Sequence, residues 1–150
     1  MTMKPLFIAA TIASLLTGPA LAAHSLNPQN AQRSYGAGIV TEGGRTVWLA
    51  GMGGTVGPDG KKITDFAEQT RQAFRNIEKV LKEAGGSLQD LVSMTVMIRN
   101  QSDGDTFVKV RGEFFKSKFP ASMLITAKDF ANSDILVEIQ SEAVIGDRLK

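Results

Sequence analysis

The sequence contains no cysteine and a single histidine, His24, among 150 residues. The absence of cysteine excludes disulfide scaffolds, thiolate nucleophiles, iron–sulfur clusters and cysteine-ligated zinc sites. One histidine cannot build a multi-histidine metal site, and it permits a Ser-His-Asp triad only if His24 takes part. We therefore expect no metal and no cofactor, and the remaining chemistry is that of carboxylates, hydroxyls, the backbone, lysine and arginine.

A large excess of charge of either sign is also missing. The chain has 17 Lys and Arg against 15 Asp and Glu, and 43% of its residues are hydrophobic. This composition is typical of a globular protein, and the length is that of one domain. Because the basic residues are nearly balanced by acidic ones, the sequence predicts no binding of nucleic acid.

The first residues have the pattern of a secretory signal peptide over residues 1–22. Lys4 supplies the positive charge, residues 6–16 are mostly apolar, and an Ala-Leu-Ala motif ends the segment. The apolar run is shorter than the roughly 20 residues that span a bilayer, which disfavours an uncleaved anchor. We predict cleavage after Ala22, a periplasmic or secreted protein with no membrane association, and a polar N-terminal arm over residues 23–34.

The mature chain alternates between strand-like and helix-like patterns. Residues 36–40 and 46–50 are predicted strands of a hairpin, because a Glu-Gly-Gly turn signal lies between them. Residues 65–84 are a predicted helix, in which Asp65 is the N-cap and apolar residues recur every three or four positions. A second helix is predicted to begin at the capping residue Thr106.

Three further strands are predicted at residues 91–98, 123–126 and 135–145. Strands interleaved with two amphipathic helices predict an α+β fold, a sheet with both helices packed on one face. The opposite face of the last strand mixes one leucine with acids and an amide. Such a face is either open to water or packed against other subunits, and the pattern does not decide between them.

Seven short segments are informative through their order and spacing, namely Ser34-Tyr35, residues 47–51, residues 72–86, residues 91–96, residues 112–115, residues 119–121 and residues 135–139. Taken together, they resemble the reactive-intermediate deaminase family (Rid, YjgF-like) over residues 35–145. The resemblance implies a chorismate-mutase-like fold for a domain at residues 35–150. It also implies a homotrimer in which the sheets form a central barrel and small-molecule ligands bind in clefts between subunits.

One position departs from the pattern of the deaminating members of this family. Where they carry an arginine after Pro-Ala to bind the substrate carboxylate, this chain has Ser122. A guanidinium matches a carboxylate with two parallel N–H donors, whereas a hydroxyl offers one donor and no charge. Ala50 and Val108 also replace polar residues of the family. The resemblance therefore implies weakened carboxylate binding.

Three other positions retain the residues of the family. The resemblance implies that Glu138 is the catalytic residue that orients or activates the attacking water, that the Tyr35 hydroxyl contacts the ligand, and that the Gly51 backbone approaches it. Ser122, at the position that departs from the family, is the third predicted ligand-binding residue. Each residue type suits its role: a carboxylate accepts protons, and glycine presents no side-chain obstruction. A structural role at a subunit interface remains an alternative for Glu138 and Tyr35.

Three functions remain open. The first is an exported Rid-family protein that binds a small molecule and has weak or altered imine or enamine hydrolase (deaminase) activity. The second is a genuine deaminase that uses Glu138 and an arginine from elsewhere, Arg33 or Arg111, although both are more simply interpreted as surface residues. The third is a non-catalytic interaction or chaperone-like trimer. An RNA-directed role is disfavoured by export and by the balanced charge.

Overall fold

The computed structural model describes residues 25–26 and 31–147. The predicted signal peptide at residues 1–22, its cleavage site and the last three residues, 148–150, lie outside the described residues. In the part of the chain that is described, no helix combines the length and the apolar character needed to cross a bilayer.

One mixed sheet and two helices make up most of the fold. The elements in chain order are β1 (Ser25–Leu26), β2 (Gly38–Ile39), β3 (Arg45–Met52), α1 (Phe66–Glu83), β4 (Leu91–Ile98), α2 (Gly104–Phe114), β5 (Ala121–Thr126) and β6 (Val137–Ile145). The sheet has the order β3-β6-β4-β5; β4 and β5 are parallel and the other neighbours are antiparallel. Both helices pack on the same face of this sheet, which confirms the predicted α+β layer.

The predicted hairpin is wrong, although both of its strands exist in shorter or longer form. β2 pairs with β1, and β3 pairs along its length with β6. The turn residues Gly43 and Gly44 have φ values of 71° and 73°, and the Glu42 N–H donates to Asp147 Oδ1 at 2.9 Å, just beyond β6. The turn therefore directs β3 to the last strand of the chain, which offers a much longer partner than the two residues of β2.

Helix α1 forms as the sequence predicts. The Asp65 carboxylate accepts a hydrogen bond from the Glu68 N–H at 2.9 Å, and Gly85 ends the helix with a φ of 82°. The Phe74 ring lies at the centre of the helix interface, 4.8 Å from the Phe114 ring centroid of α2. Burial of this apolar stripe, more than helix propensity, fixes α1 on the sheet.

Helix α2 begins at Gly104, so the prediction that Thr106 caps it is wrong. A 3₁₀ turn at Gln101–Asp103 runs directly into the helix, and the backbone of this turn makes a side-chain cap unnecessary. The remaining strands agree with prediction within two residues, since β5 begins two residues earlier than expected and β6 two residues later.

Strand β6 contributes side chains to both faces of the sheet, the inner face toward the helices and the outer face away from them. The inner positions Val137, Ile139 and Ala143 are fully buried. The outer positions Glu138, Gln140 and Glu142 are half-buried. The outer face also carries large exposed apolar side chains, namely Trp48, Met123 and Ile125, with relative exposures of 73%, 54% and 42%.

Candidate ligand-binding site

The carboxylate of Glu138 lies directly against the backbone of Gly51 on the outer face of the sheet. An irregularity in β3 between Leu49 and Met52 brings this glycine beside β6. A β-carbon at Gly51 would lie 2.0 Å from Glu138 Oε1, far inside contact distance. A glycine is therefore required here for the carboxylate to occupy its place.

A second group of polar residues gathers around Arg111 on the helix side. Arg111 Nη1 donates to Ser122 Oγ at 2.7 Å, and Nη2 donates to the carbonyl oxygen of Arg33. The guanidinium carbon lies 5.9 Å from the centroid of the Tyr35 ring and 5.2 Å from that of Phe107. Arg111 thus joins two of the predicted ligand-binding residues, Tyr35 and Ser122.

The positive charge of Arg111 is buried without a carboxylate partner. Arg111 is only 3% exposed. Among the described residues, no acidic side chain forms an ion pair with it, and its Nε has no hydrogen-bond partner. Burial, assisted by the positive charge of Arg33, lowers the pKa of Arg111 to about 10, so the group stays charged at neutral pH. Unpaired buried charges are costly and concentrate at functional sites.

The backbone beside this group is strained at Ser34. This residue is buried and has a φ of 58°, in the left-handed region that non-glycine residues seldom adopt. It lies between the Arg33 carbonyl that Arg111 binds and Tyr35. The hydrogen bond from Arg111 therefore holds the turn that places the tyrosine ring against the guanidinium.

The structure does not bring Glu138 together with Ser122 within one chain. In the sheet register Ser122 is level with Met94 and Ser141, whereas Glu138 is level with Met97. Ser141 therefore marks the level and the face of Ser122 on β6. Because positions 138 and 141 are three residues apart, the side chains of Glu138 and Ser122 point to opposite faces of the sheet, and their levels differ by about 10 Å along the strand. One chain therefore carries two half-sites, Glu138 with Gly51 and Ser122 with Tyr35.

A surface depression of about 550 Å³ lies next to the second half-site. Its lining includes Leu124, two residues along β5 from Ser122 and thus on the same face of the strand, and the Arg33–Asp105 ion pair at 2.8 Å. Ser122, Tyr35 and Arg111 do not line this depression, so it adjoins the second half-site without including it. No group of three or more metal-ligating side chains occurs within the described part of the chain.

The sequence interpretation of Arg111 as a surface residue is wrong, while that of Arg33 is right. Arg33 is exposed and paired with Asp105. Arg111 lies one helical turn from both Phe107 and Phe115, which are fully buried. This i, i+4 spacing was the available signal that the arginine faces the core.

The comparisons with known proteins agree with this architecture. The family model described as endoribonuclease L-PSP, the YjgF or Rid family, matches residues 26–145. The chain belongs to this family. A 2-iminobutanoate/2-iminopropanoate deaminase of Dermatophagoides farinae is 32% identical over 103 residues, which cover 68% of this chain and 80% of the mite protein.

Other members show how far the similarity extends. A RutC family protein of Pyrococcus abyssi is 33% identical over 79 residues, and the matched stretch covers 53% of this chain and 61% of that protein, less than two thirds of its length. A Rid family protein of unknown function from Yersinia pestis has a TM-score of 0.73 at 22% identity, with 82% of this chain and 98% of that chain covered. The Rid fold is therefore established for this chain.

Proposed function

We propose that the protein is an exported Rid family member that binds a small imine or enamine and hydrolyses it weakly, with the ligand in clefts between the subunits of a homotrimer. The observation that carries the proposal is the half-buried carboxylate of Glu138, which lies against Gly51. A side chain at position 51 would overlap this carboxylate, so glycine is needed there. The deaminase relative supports the class of reaction.

In the proposed reaction, Glu138 removes a proton from a water molecule as the water oxygen bonds to the imine carbon. The electron pair of the C=N bond moves to nitrogen, and Glu138 passes the proton from water to that nitrogen, which gives a carbinolamine. Glu138 then removes the proton of the new hydroxyl group as the C=O bond forms and the C–N bond breaks, and it transfers this proton to the leaving nitrogen, which departs as ammonia. The products are a carbonyl compound and ammonia.

We expect the activity to be weak because ligand binding at position 122 relies on a hydroxyl. Truncating one partner of a desolvated charge pair costs about 2–5 kcal/mol of binding. The hydrogen bond between Ser122 and Arg111 favours the second candidate, a deaminase of full strength, because it brings an arginine to this position by another route.

A homotrimer would join the two half-sites from neighbouring chains. Met123 and Ile125 are exposed neighbours on the outer face of β5, and Trp48 is exposed at the opposite edge of the sheet. Large apolar side chains exposed on a sheet face favour a protein partner at this surface. Light scattering should report about three times the mature mass.

Intact-mass measurement of the exported protein should give a chain that begins at Ala23, and a soluble chain that retains residues 1–22 would contradict export.

The catalytic proposal is tested with Glu138→Gln, in an assay that follows the decay of an imine released by an amino-acid oxidase. We expect detectable hydrolysis by the wild type and a loss of about 100-fold or more in the variant. Glu142→Gln is the matched control, since Glu142 lies on the same face of β6 and bonds Ser93 at 3.0 Å. A wild type no faster than buffer, or equal activity in Glu138→Gln, would overturn the catalytic role.

A further inference from the structure

The hydroxyl of Ser122 has a fixed hydrogen-bond direction because its partner is an arginine. A guanidinium has donors and no acceptor, so Ser122 Oγ must accept the bond from Arg111 Nη1 at 2.7 Å. The hydroxyl hydrogen then points away from Arg111. Among the described residues, no acceptor receives it. Ser122 therefore offers one free O–H donor from a half-buried position.

Arg111 places a full positive charge directly behind that donor. Arg111 is a buried residue, and within the described residues its charge has no carboxylate partner that would cancel its field. A hydrogen bond is stronger when a charged group polarises it and when solvent does not screen the charge. The potential at the Ser122 hydroxyl thus favours a negatively charged acceptor over a neutral one.

The second donor of the same guanidinium orders the chain segment beside the ligand space. Nη2 binds the Arg33 carbonyl, which keeps Ser34 in its left-handed conformation and Tyr35 over the guanidinium. The depression that Arg33 and Leu124 help to line is adjacent to this segment.

We propose that Arg111 is a positioning residue that turns Ser122 into a charge-backed, single hydrogen-bond donor for one oxygen of a small carboxylate ligand. The family's strand arginine would bind both oxygens of a carboxylate directly. Here the charge acts from helix α2 through a hydroxyl, so the chain selects anions without a guanidinium at position 122. This inference rests on the proposed ligand site at Ser122, but it does not require hydrolysis.

The test compares two probes of nearly equal shape, 2-oxobutanoate and its neutral amide, titrated into the full mature protein and followed by NMR. We expect the wild type to bind the carboxylate about tenfold more tightly than the amide. Arg111→Met should abolish this preference, because it removes the charge and keeps the bulk. A purely structural role would weaken both probes equally and leave their ratio unchanged.

Three further variants complete the test. Arg111→Lys should retain part of the preference because the charge remains, and Ser122→Ala should lose it although Arg111 is intact. Lys109→Met, an exposed position on the same helix, is the control and should behave as the wild type. If Arg111→Met does not fold, Ser122→Ala decides the matter.

A wild type without preference, or a folded Arg111→Met or Ser122→Ala that keeps it, would overturn the inference. These results are distinct from the test of catalysis. Selective carboxylate binding without imine hydrolysis would refute only the proposed reaction. Hydrolysis without a dependence of the carboxylate preference on Arg111 would refute only the role of this arginine.

Discussion

Two arginines of this molecule occupy contrasting environments on the paired helices. Arg71 of α1 donates to both carboxylate oxygens of Glu113 on α2, at 2.8 and 2.7 Å, and to Glu68 at 2.6 Å. Arg111 of α2 is buried and bonds only neutral oxygens among the described residues. The first arginine is partly exposed and surrounded by negative charge, and the second is enclosed without it.

The pKa values move in opposite directions for these physical reasons. The hydrogen bonds that Arg71 donates to Glu113 raise the pKa of Arg71 above its usual value, whereas burial lowers the pKa of Arg111 to about 10. The surroundings of Arg71 therefore favour its charge, and those of Arg111 oppose it. Folding alone accounts for the charge of Arg71, whereas the charge of Arg111 is held against its surroundings, and the proposed carboxylate ligand would give the reason for it.

The strongest way to break this contrast is to add a second guanidinium at the buried site. We expect Ser122→Arg to lower the free energy of unfolding by about 2 kcal/mol, because two like charges then share a half-buried volume. Chemical unfolding in urea measures the loss.

The double variant Ser122→Arg with Arg111→Met separates the two effects. Removing the guanidinium of Arg111 should restore most of the stability and leave the arginine introduced at position 122 free to contact the ligand. Combining Ser122→Arg with Lys109→Met instead should restore nothing, since Lys109 is exposed on the same helix. Equal free energies of unfolding for the wild type and Ser122→Arg would show that the guanidinium of Arg111 and the one introduced at position 122 do not repel each other.

A smaller effect of opposite sign is expected for Arg111→Met alone. The variant loses two hydrogen bonds to neutral oxygens, but it also loses the cost of an unpaired buried charge, and apolar replacements of such groups are often neutral or stabilising. We expect the free energy of unfolding to stay level or rise by about 1 kcal/mol. A fall of several kcal/mol in urea unfolding would mean that the arginine serves the fold.

The smallest effect is expected at the Arg71–Glu113 ion pair, the partly exposed side of the comparison. Glu113→Gln should cost less than about 1 kcal/mol, because the ion pair with Arg71 is partly solvated. The hydrogen bonds from Arg71 lower the pKa of Glu113 below 4.5, so its contribution is present above that pH and is lost as pH falls through the lowered value. Urea unfolding at neutral pH and at about pH 3 should show the difference between wild type and variant shrinking in acid. A difference that is independent of pH would exclude this ion pair as its source.

Local patterns in the sequence predicted the elements that form locally. The Asp65 cap, the apolar stripe of α1 and the alternation of β4 each involve neighbours a few residues apart, and all three are present. The pairing of β3 with β6 joins distant parts of the chain, and the turn signal after β2 gave no information about it. Periodicity describes faces of single elements and leaves their partners undetermined.

The candidate site divides in the same way. The resemblance to the family predicted Glu138, Gly51, Tyr35 and Ser122 as site residues, and the structure places Glu138 against Gly51 and both Ser122 and Tyr35 against Arg111. The contact between Glu138 and Gly51 depends on an irregular register in β3, which alternation alone does not encode. The position of Arg111 depends on which face of α2 meets the core, and a charged residue in that stripe is most simply taken as exposed.

The pairing of β3 with β6 also determines when the sheet can be completed during folding. β3 lies near the start of the domain and β6 near its end, so their contact closes a loop that contains both helices and the two other strands of the sheet. Contacts of such large sequence separation slow folding, because the entropy of closing the loop is lost before the contact forms. Until β6 emerges, β3 and β4 both lack the strand that lies between them, and of the four-stranded sheet only the parallel pair β4–β5 can form. In a chain that emerges from its N-terminus first, β3 therefore stays without its partner in this sheet until the last segment is free.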